Sequence, residues 1–286
     1  MPDIKTRIID TTLRDGEQSA GIAFNISKKV KIARALSDIG IDRIEAGIPA
    51  MGINERIFIR KIAEMGLKAK ISTWNRILVS DVQWAASCGN VIIHLSVPAS
   101  ELQIKRKLNK ERKWVLDNML RCIDLARIKG HEVTIGLEDA SRAEFNFISE
   151  IADAACKNDV SMIRYADTVG VLYRKKISED IKKLKEIVNC DIGIHTHNDL
   201  GMAVANAIAA AQAGAAFVDV YYRLSPALAE HVNHSPLLAS LVRLLLLPVL
   251  ILSVVVLFSI AVMLMVLLFF AGLVAFVWVR RSRASS

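Results

Sequence analysis

The stretch IGIHTHNDLG, Ile192–Gly201, sets two histidines two residues apart and follows them with Asn198 and Asp199. On a helix His195 and His197 would point in different directions, whereas on a strand they share one face. Apolar Ile192 and Ile194 precede them, so the segment reads as a strand, Asp191–Thr196, that turns polar at its carboxyl end. Two imidazoles side by side at a strand end ask for a third partner, and for a fold that gathers strand ends in one place.

Outward from this strand, short β-rich runs alternate with amphipathic helical patterns. Strands are expected at Arg7–Asp10, Arg43–Ala46, Ala69–Thr73, Val91–Ser96, Glu132–Leu137, Met162–Ala166, Asp191–Thr196 and Ala216–Tyr222. Helices are expected at Ser27–Ile39, Glu55–Met65, Val79–Ser87, Glu111–Lys129, Phe145–Lys157, Ser178–Val188 and Ala203–Ala213. Eight strands with helices between them predict an α/β fold, a parallel sheet closed into a (β/α)8 TIM barrel. A doubly wound open sheet is the alternative, disfavoured because no G-x-G-x-x-G follows the first strand.

The carboxyl ends of six of these runs are polar: DTTLRDGEQ, IEAGIPA, HLSVPAS, EDASR, ADTVG and HTHND. Barrel active sites are built at that end, and charge at a buried strand end is costly unless it binds something. Asp15 follows the first strand, which barrel closure brings towards the seventh. An Asp–His–His set with open positions suits a divalent metal of intermediate hardness; for the HxH alone, a hydrogen-bonded pair of core histidines is the alternative. Arg14 offers a planar fork to a carboxylate or a developing oxyanion, against a plain surface salt bridge. Glu45 and Glu138 end the second and fifth strands, as a general base or hydrogen-bond acceptor, or as ion-pair partners of a barrel arginine. Ser141 and Thr168 are candidates to hydrogen-bond a substrate carboxylate, though both are also ordinary loop residues. His94, on the fourth strand, is either a substrate contact or a satisfied core histidine.

Composition narrows the function classes. Residues after Val220 carry five arginines against Glu230, which is half of the net charge of +8. The mildly basic remainder has no basic–aromatic patch, which argues against nucleic acid and suits anionic carboxylate substrates. Cys88, Cys122, Cys156 and Cys190 recur every 34 residues, but their flanks do not repeat. With no CxxC pair a thiolate metal site is not expected. No secretory signal opens the chain, so reduced thiols in a cytoplasmic barrel are expected.

Set out as strings, these strand ends resemble a known family. DTTLRDGEQSAG resembles the first signature of the α-isopropylmalate and homocitrate synthases, within the wider group of metal-dependent barrels that includes hydroxymethylglutaryl-CoA lyase. HTHNDLGMAVAN resembles the second signature. EAGIPAMG, LSVPASELQIKRKLN, GLEDASRAEF and RYADTVGV look most like the homocitrate synthases of nitrogen fixation, and the resemblance runs from about residue 4 to 220. It implies a Claisen condensation in which acetyl-CoA, the 2-oxo dicarboxylate 2-oxoglutarate and water give homocitrate and CoA. It implies that Asp15, His195 and His197 hold a divalent ion (Mg, Mn or Zn) and that Arg14 stabilises the enolate or the developing alkoxide. Gln18, Glu45 and Thr168 would line the pocket, and Glu138 would assist proton transfer. A 2-isopropylmalate synthase-type transfer or an aldol-type cleavage by the same barrel is the alternative. A homodimer is the expected assembly.

Beyond the eighth strand the resemblance stops. The family pattern implies a glycine-rich loop, roughly G-x-G-E-R-x-G-N-A, then a further region that covers the site with a catalytic histidine. The chain reads YYRLSPALAEHVNHSPLLASLV instead, and His231, Asn233 and His234 do not take those roles. Condensation is expected to be slowed without that cover, and a membrane-tethered module that binds a 2-oxo acid without turnover is a further alternative. From Leu244 to Val279 run 36 residues without a charge. As one helix they would reach ~54 Å, against a hydrocarbon core of ~30 Å. The expected organisation is a pyruvate-carboxyltransferase-like barrel over 1–222, an atypical linker over 223–240, a hydrophobic transmembrane-type helical segment over 241–279, and a basic tail over 280–286. The run reads as one span with an apolar extension or as a two-helix hairpin, with the arginines on the cytoplasmic side; membrane association is expected if the tail is native, the alternative being a frameshift or fusion product.

Overall fold

The apolar runs pair in chain order into a closed parallel barrel, β1-β2-β3-β4-β5-β6-β7-β8. The strands are β1 (Arg7–Asp10), β2 (Arg43–Glu45), β3 (Lys70–Arg76), β4 (Ile92–Pro98), β5 (Val133–Glu138), β6 (Met162–Asp167), β7 (Asp191–Thr196) and β8 (Phe217–Val220). Between them lie α1 (Ile26–Asp38), α2 (Ile53–Ala63), α3 (Val79–Ala86), α4 (Arg112–Ile128), α5 (Phe145–Cys156), α6 (Arg174–Ile187) and α7 (Ala203–Ala213). This computed structural model describes residues 6–221; the expectations for 223–240, 241–279 and 280–286 lie outside the described residues. Among the described residues no helix is long and apolar enough to cross a membrane.

Closure follows from register. β1 pairs with β2 on one side and β8 on the other, Ile9 opposite Asp219. The main core lies between strands and helices, where Ile44, Ile93, Leu95, Ile163 and Ile194 of the strands meet Phe58, Ile62, Ile123, Ile151 and Ile181 of the helices, all within 1% of full burial. A second, small cluster of Ile9, Met162 and Phe217 joins strands at the amino end of the barrel, with the Arg7 and Arg43 guanidinium groups 3.9 and 5.1 Å from the Phe217 ring centre. Apolar filling at that end leaves the carboxyl end for polar side chains, as barrel architecture requires.

Differences from expectation have local causes. α6 begins at Arg174, four residues before the expected Ser178, because Lys176 is not a loop cation: it pairs one turn on with buried Asp180 at 2.6 Å. β3 runs on to Arg76, whose side chain is held by buried Asp81. Between β4 and α4 the segment Leu102–Lys107 is a π-helix pinned by fully buried Ile104. Asn25 caps α1, its side chain accepting from the Lys28 amide at 2.9 Å. The expectation of reduced thiols is corrected at one pair: Cys156 and Cys190 are bridged, their Cα atoms 6.2 Å apart and within disulfide reach, while Cys88 and Cys122 are free and buried.

Candidate active site

Alternation along the strands decides which side chains enter the barrel. His195 and His197 share the inner face of β7 and its exit, and β1 brings Asp15 to meet them. One ligand atom from each of Asp15, His195 and His197 lies within 4.8 Å of the others. The two Nε2 atoms are 3.1 Å apart, and Asp15 Oδ2 is 3.5 Å from His195 Nε2. Asp15 Oδ2 is buried and has no hydrogen-bond partner, while Oδ1 accepts from Arg14 at 2.9 Å. An orphaned carboxylate oxygen beside two imidazole nitrogens is a donor set that fits a divalent cation. Burial, and then repulsion from His195, keep His197 below the usual imidazole range, so its nitrogen is free to ligate.

Beneath these ligands lies a charged layer contributed by the even-numbered strands: Glu45 on β2, His94 on β4, Arg164 on β6 and Asp219 on β8. Glu45 is fully buried, accepting from Arg14 Nε at 2.5 Å on one oxygen and from Arg164 at 2.8 Å on the other. Burial alone would raise its carboxyl, but the charges of Arg14 and Arg164 outweigh it and hold the group well below the usual range. Arg164 Nε also lies 3.1 Å from Asp219 Oδ2, an ion pair, and that oxygen is 2.9 Å from His195 Nδ1. Gly136 and Gly193 flank Arg164 in register, which leaves room for its long side chain across the interior. His94 is held by Thr134 at 2.9 Å, and burial and then Arg164 keep it neutral.

Through His94 and Arg164 this layer floors a cavity of about 320 Å³ whose lining includes Arg14, Asp15, Gln18, Trp74, His94, Glu138, Arg164, Thr168, His195 and His197. It therefore gathers eight of the ten residues singled out in the sequence. Glu138 accepts from Ser96 at 3.1 Å and from Lys107 of the π-helical segment at 3.2 Å. The Thr168 hydroxyl oxygen accepts from the Asp139 amide at 2.9 Å, which leaves its proton to donate into the cavity. Two expectations are corrected. Glu45, expected to line the pocket, lies outside the lining with both oxygens committed to arginines. Ser141 does not line it either: Asp139 turns the chain through a left-handed conformation (φ 60°), and the short helix Ala140–Arg142 carries Ser141 away. Arg164, Asp219 and Lys107 were missed. Arg164 and Asp219 carried a signal, a lone arginine inside MIRYAD and a lone acid inside FVDV, charges within short β-rich runs; Lys107 carried none.

Comparison with known proteins agrees with this geometry. The chain is 50% identical over 212 residues to homocitrate synthase subunit alpha of Clostridium pasteurianum, covering 74% of this chain and 79% of that one. It is 47% identical over 213 residues to 2-isopropylmalate synthase 2 of Caldanaerobacter subterraneus subsp. tengcongensis, covering 74% of this chain and 56% of the relative. It is 43% identical over 216 residues to homocitrate synthase of Frankia alni, covering 76% of this chain and 62% of the relative. The chain thus spans little more than half the length of several relatives. Among solved structures, hydroxymethylglutaryl-CoA lyase from Pseudomonas aeruginosa matches with TM-score 0.67 at 19% identity over 76% of each chain, a likeness of fold. A family model described as HMGL-like matches residues 5–221, three quarters of the sequence and the whole of the barrel, and the chain belongs to that family.

Proposed function

We propose that the chain is an acyltransferase of the homocitrate synthase type, condensing acetyl-CoA with 2-oxoglutarate and water to give homocitrate and CoA. The observation that carries this is the convergence of Asp15, His195 and His197 with Arg14, Thr168 and Glu138 on one cavity. A divalent ion (Mg, Mn or Zn) held by Asp15, His195 and His197 would polarise the keto group as a Lewis acid. Glu138 is the base that takes a proton from the acetyl methyl group. The resulting enolate carbon bonds to the keto carbon, and the carbonyl electron pair moves onto the oxygen. Arg14, its fork already oriented by Asp15 and Glu45, donates to that alkoxide, which takes up the proton that Glu138 removed and leaves Glu138 ionised again. Water breaks the thioester C–S bond and releases the CoA thiol. Thr168 and Gln18 bind the carboxylate of the 2-oxo acid, and neutral His94 offers it a hydrogen bond from below. A cytoplasmic homodimer belongs to the same proposal.

The second reading, a 2-isopropylmalate synthase-type transfer, is favoured by the 47% identity to such a relative. Thiol release from acetyl-CoA by the full chain with Mn²⁺ separates the two. Release at least tenfold faster with 2-oxoglutarate than with 2-oxoisovalerate is expected. Faster release with 2-oxoisovalerate supports the second reading, and binding of 2-oxoglutarate with no release makes the chain a binding module.

A further inference from the structure

The contacts in the wall and floor of the cavity close on themselves. From Asp15 they run through Arg14, Glu45, Arg164 and Asp219 to His195, whose Nε2 returns to within 3.5 Å of Asp15. We propose that Asp219 and Arg164 are positioning residues for this site. Asp219 sets the tautomer and ring angle of His195, and Arg164 holds Asp219 and Glu45 so that one buried network aims both the His195 lone pair and the Arg14 fork. The proposal rests on the divalent-ion reading of the Asp15–His195–His197 cluster.

The chemistry is directional. A carboxylate oxygen 2.9 Å from Nδ1 places a proton on Nδ1, so that the Nε2 atom, which faces Asp15 and His197, is the one left to ligate a cation. A carboxylate behind a ligating histidine also raises its basicity and stops the ring from turning. Asp219 cannot be kept there alone. Its side chain is 2% exposed, and an unpaired anion at that depth is costly; Arg164, 3% exposed, supplies the cation. The same guanidinium holds Glu45, the residue that orients Arg14, so the ligand side and the oxyanion side of the cavity share one support. Asp15 Oδ2, buried and without a hydrogen-bond partner, sits where the ring of contacts meets the two imidazole nitrogens.

The test uses the full chain, with Mn²⁺ as probe, and ¹⁵N-histidine spectra of the metal-free protein assigned against His195→Gln. The wild-type chain should show His195 as the Nδ1–H tautomer. Asp219→Asn should lose that signature and bind Mn²⁺ ten- to a hundredfold more weakly, and Asp219→Glu should recover part of the affinity. Arg164→Lys, which keeps the charge but not the fork, should fall between wild type and Asp219→Asn; it serves as the second variant if Asp219→Asn unfolds. Mn²⁺ affinity of a folded Asp219→Asn within twofold of wild type, or an Nε2–H tautomer in the wild-type chain, overturns the proposal. A wild-type chain that binds no Mn²⁺ overturns the metal reading instead, and the tautomer signal then decides Asp219's hold on His195 by itself.

Discussion

Glu45→Gln is the substitution that most sharply separates a structural carboxylate from a substrate contact. Glu45 is fully buried and each oxygen carries a guanidinium, Arg14 at 2.5 Å and Arg164 at 2.8 Å. The amide keeps the shape but removes the charge, and its NH2 group must face one of the two arginines as a second donor. Breaking a buried ion pair from one side costs about 3–5 kcal/mol, or roughly 6–20 °C in Tm for a domain of this size. The Glu45 carboxyl is depressed in the folded chain, so its contribution is present above its ordinary value of 4.5 and lost as pH falls below it. The gap between wild type and variant should therefore be full at neutral pH and shrink on acidification. Urea titrations of both chains at several pH values measure this, alongside affinity for 2-oxoglutarate. A variant within about 1 kcal/mol of wild type that has nonetheless lost 2-oxoglutarate binding refutes the reasoning, because Glu45 would then be touching substrate.

Three further substitutions test other groups of the barrel. Burial pushes the Asp10 carboxyl up to about 6, so the stability it contributes is full below its ordinary 3.8 and lost as pH rises through about 6. Asp10→Asn should gain on wild type across that window by up to about 3 kcal/mol at 1.36 kcal/mol per pH unit, and a difference that does not vary with pH contradicts this. Gly136→Ala would set a Cβ 2.6 Å from His94 Nε2; it should cost about 1–3 kcal/mol in urea titration and shift the His94 ¹⁵N signals, and unchanged signals contradict it. Lys107→Met removes an exposed partner of Glu138, so stability should stay within about 1 kcal/mol while kcat for thiol release falls; an unaltered kcat contradicts a role at Glu138.

The barrel was legible because its signals repeat: eight β-rich runs, six of them ending in polar residues, with helical patterns between. The Asp15–His195–His197 cluster was legible because its members sit in contiguous strings, LRDGEQ and HTHND, whose types suit a cation. The layer beneath was not. Arg164 and Asp219 lie in the middle of short apolar strands, and only the register, Arg164 between Gly136 and Gly193, shows that the barrel has space for them. Glu45 was recognised by position but could not be assigned, since an ion pair with a barrel arginine and a pocket wall leave the same trace in IEAGIPA. Ser141 was misplaced because one left-handed residue, Asp139, redirects the chain after β5. Lys107 was hidden in a run of exposed cations, and the π-helical turn that brings it to Glu138 has no periodicity to read.

The central claim is that Asp15, His195 and His197 form one divalent-ion site at the mouth of this barrel. Its most direct test is a Mn²⁺ titration of the full chain followed by electron paramagnetic resonance, with Asp15→Asn, His195→Ala and His197→Ala alongside. One ion per wild-type chain, lost or severely weakened in each variant, is the predicted result. A wild-type chain that binds no ion, or an ion that survives all three substitutions, contradicts it.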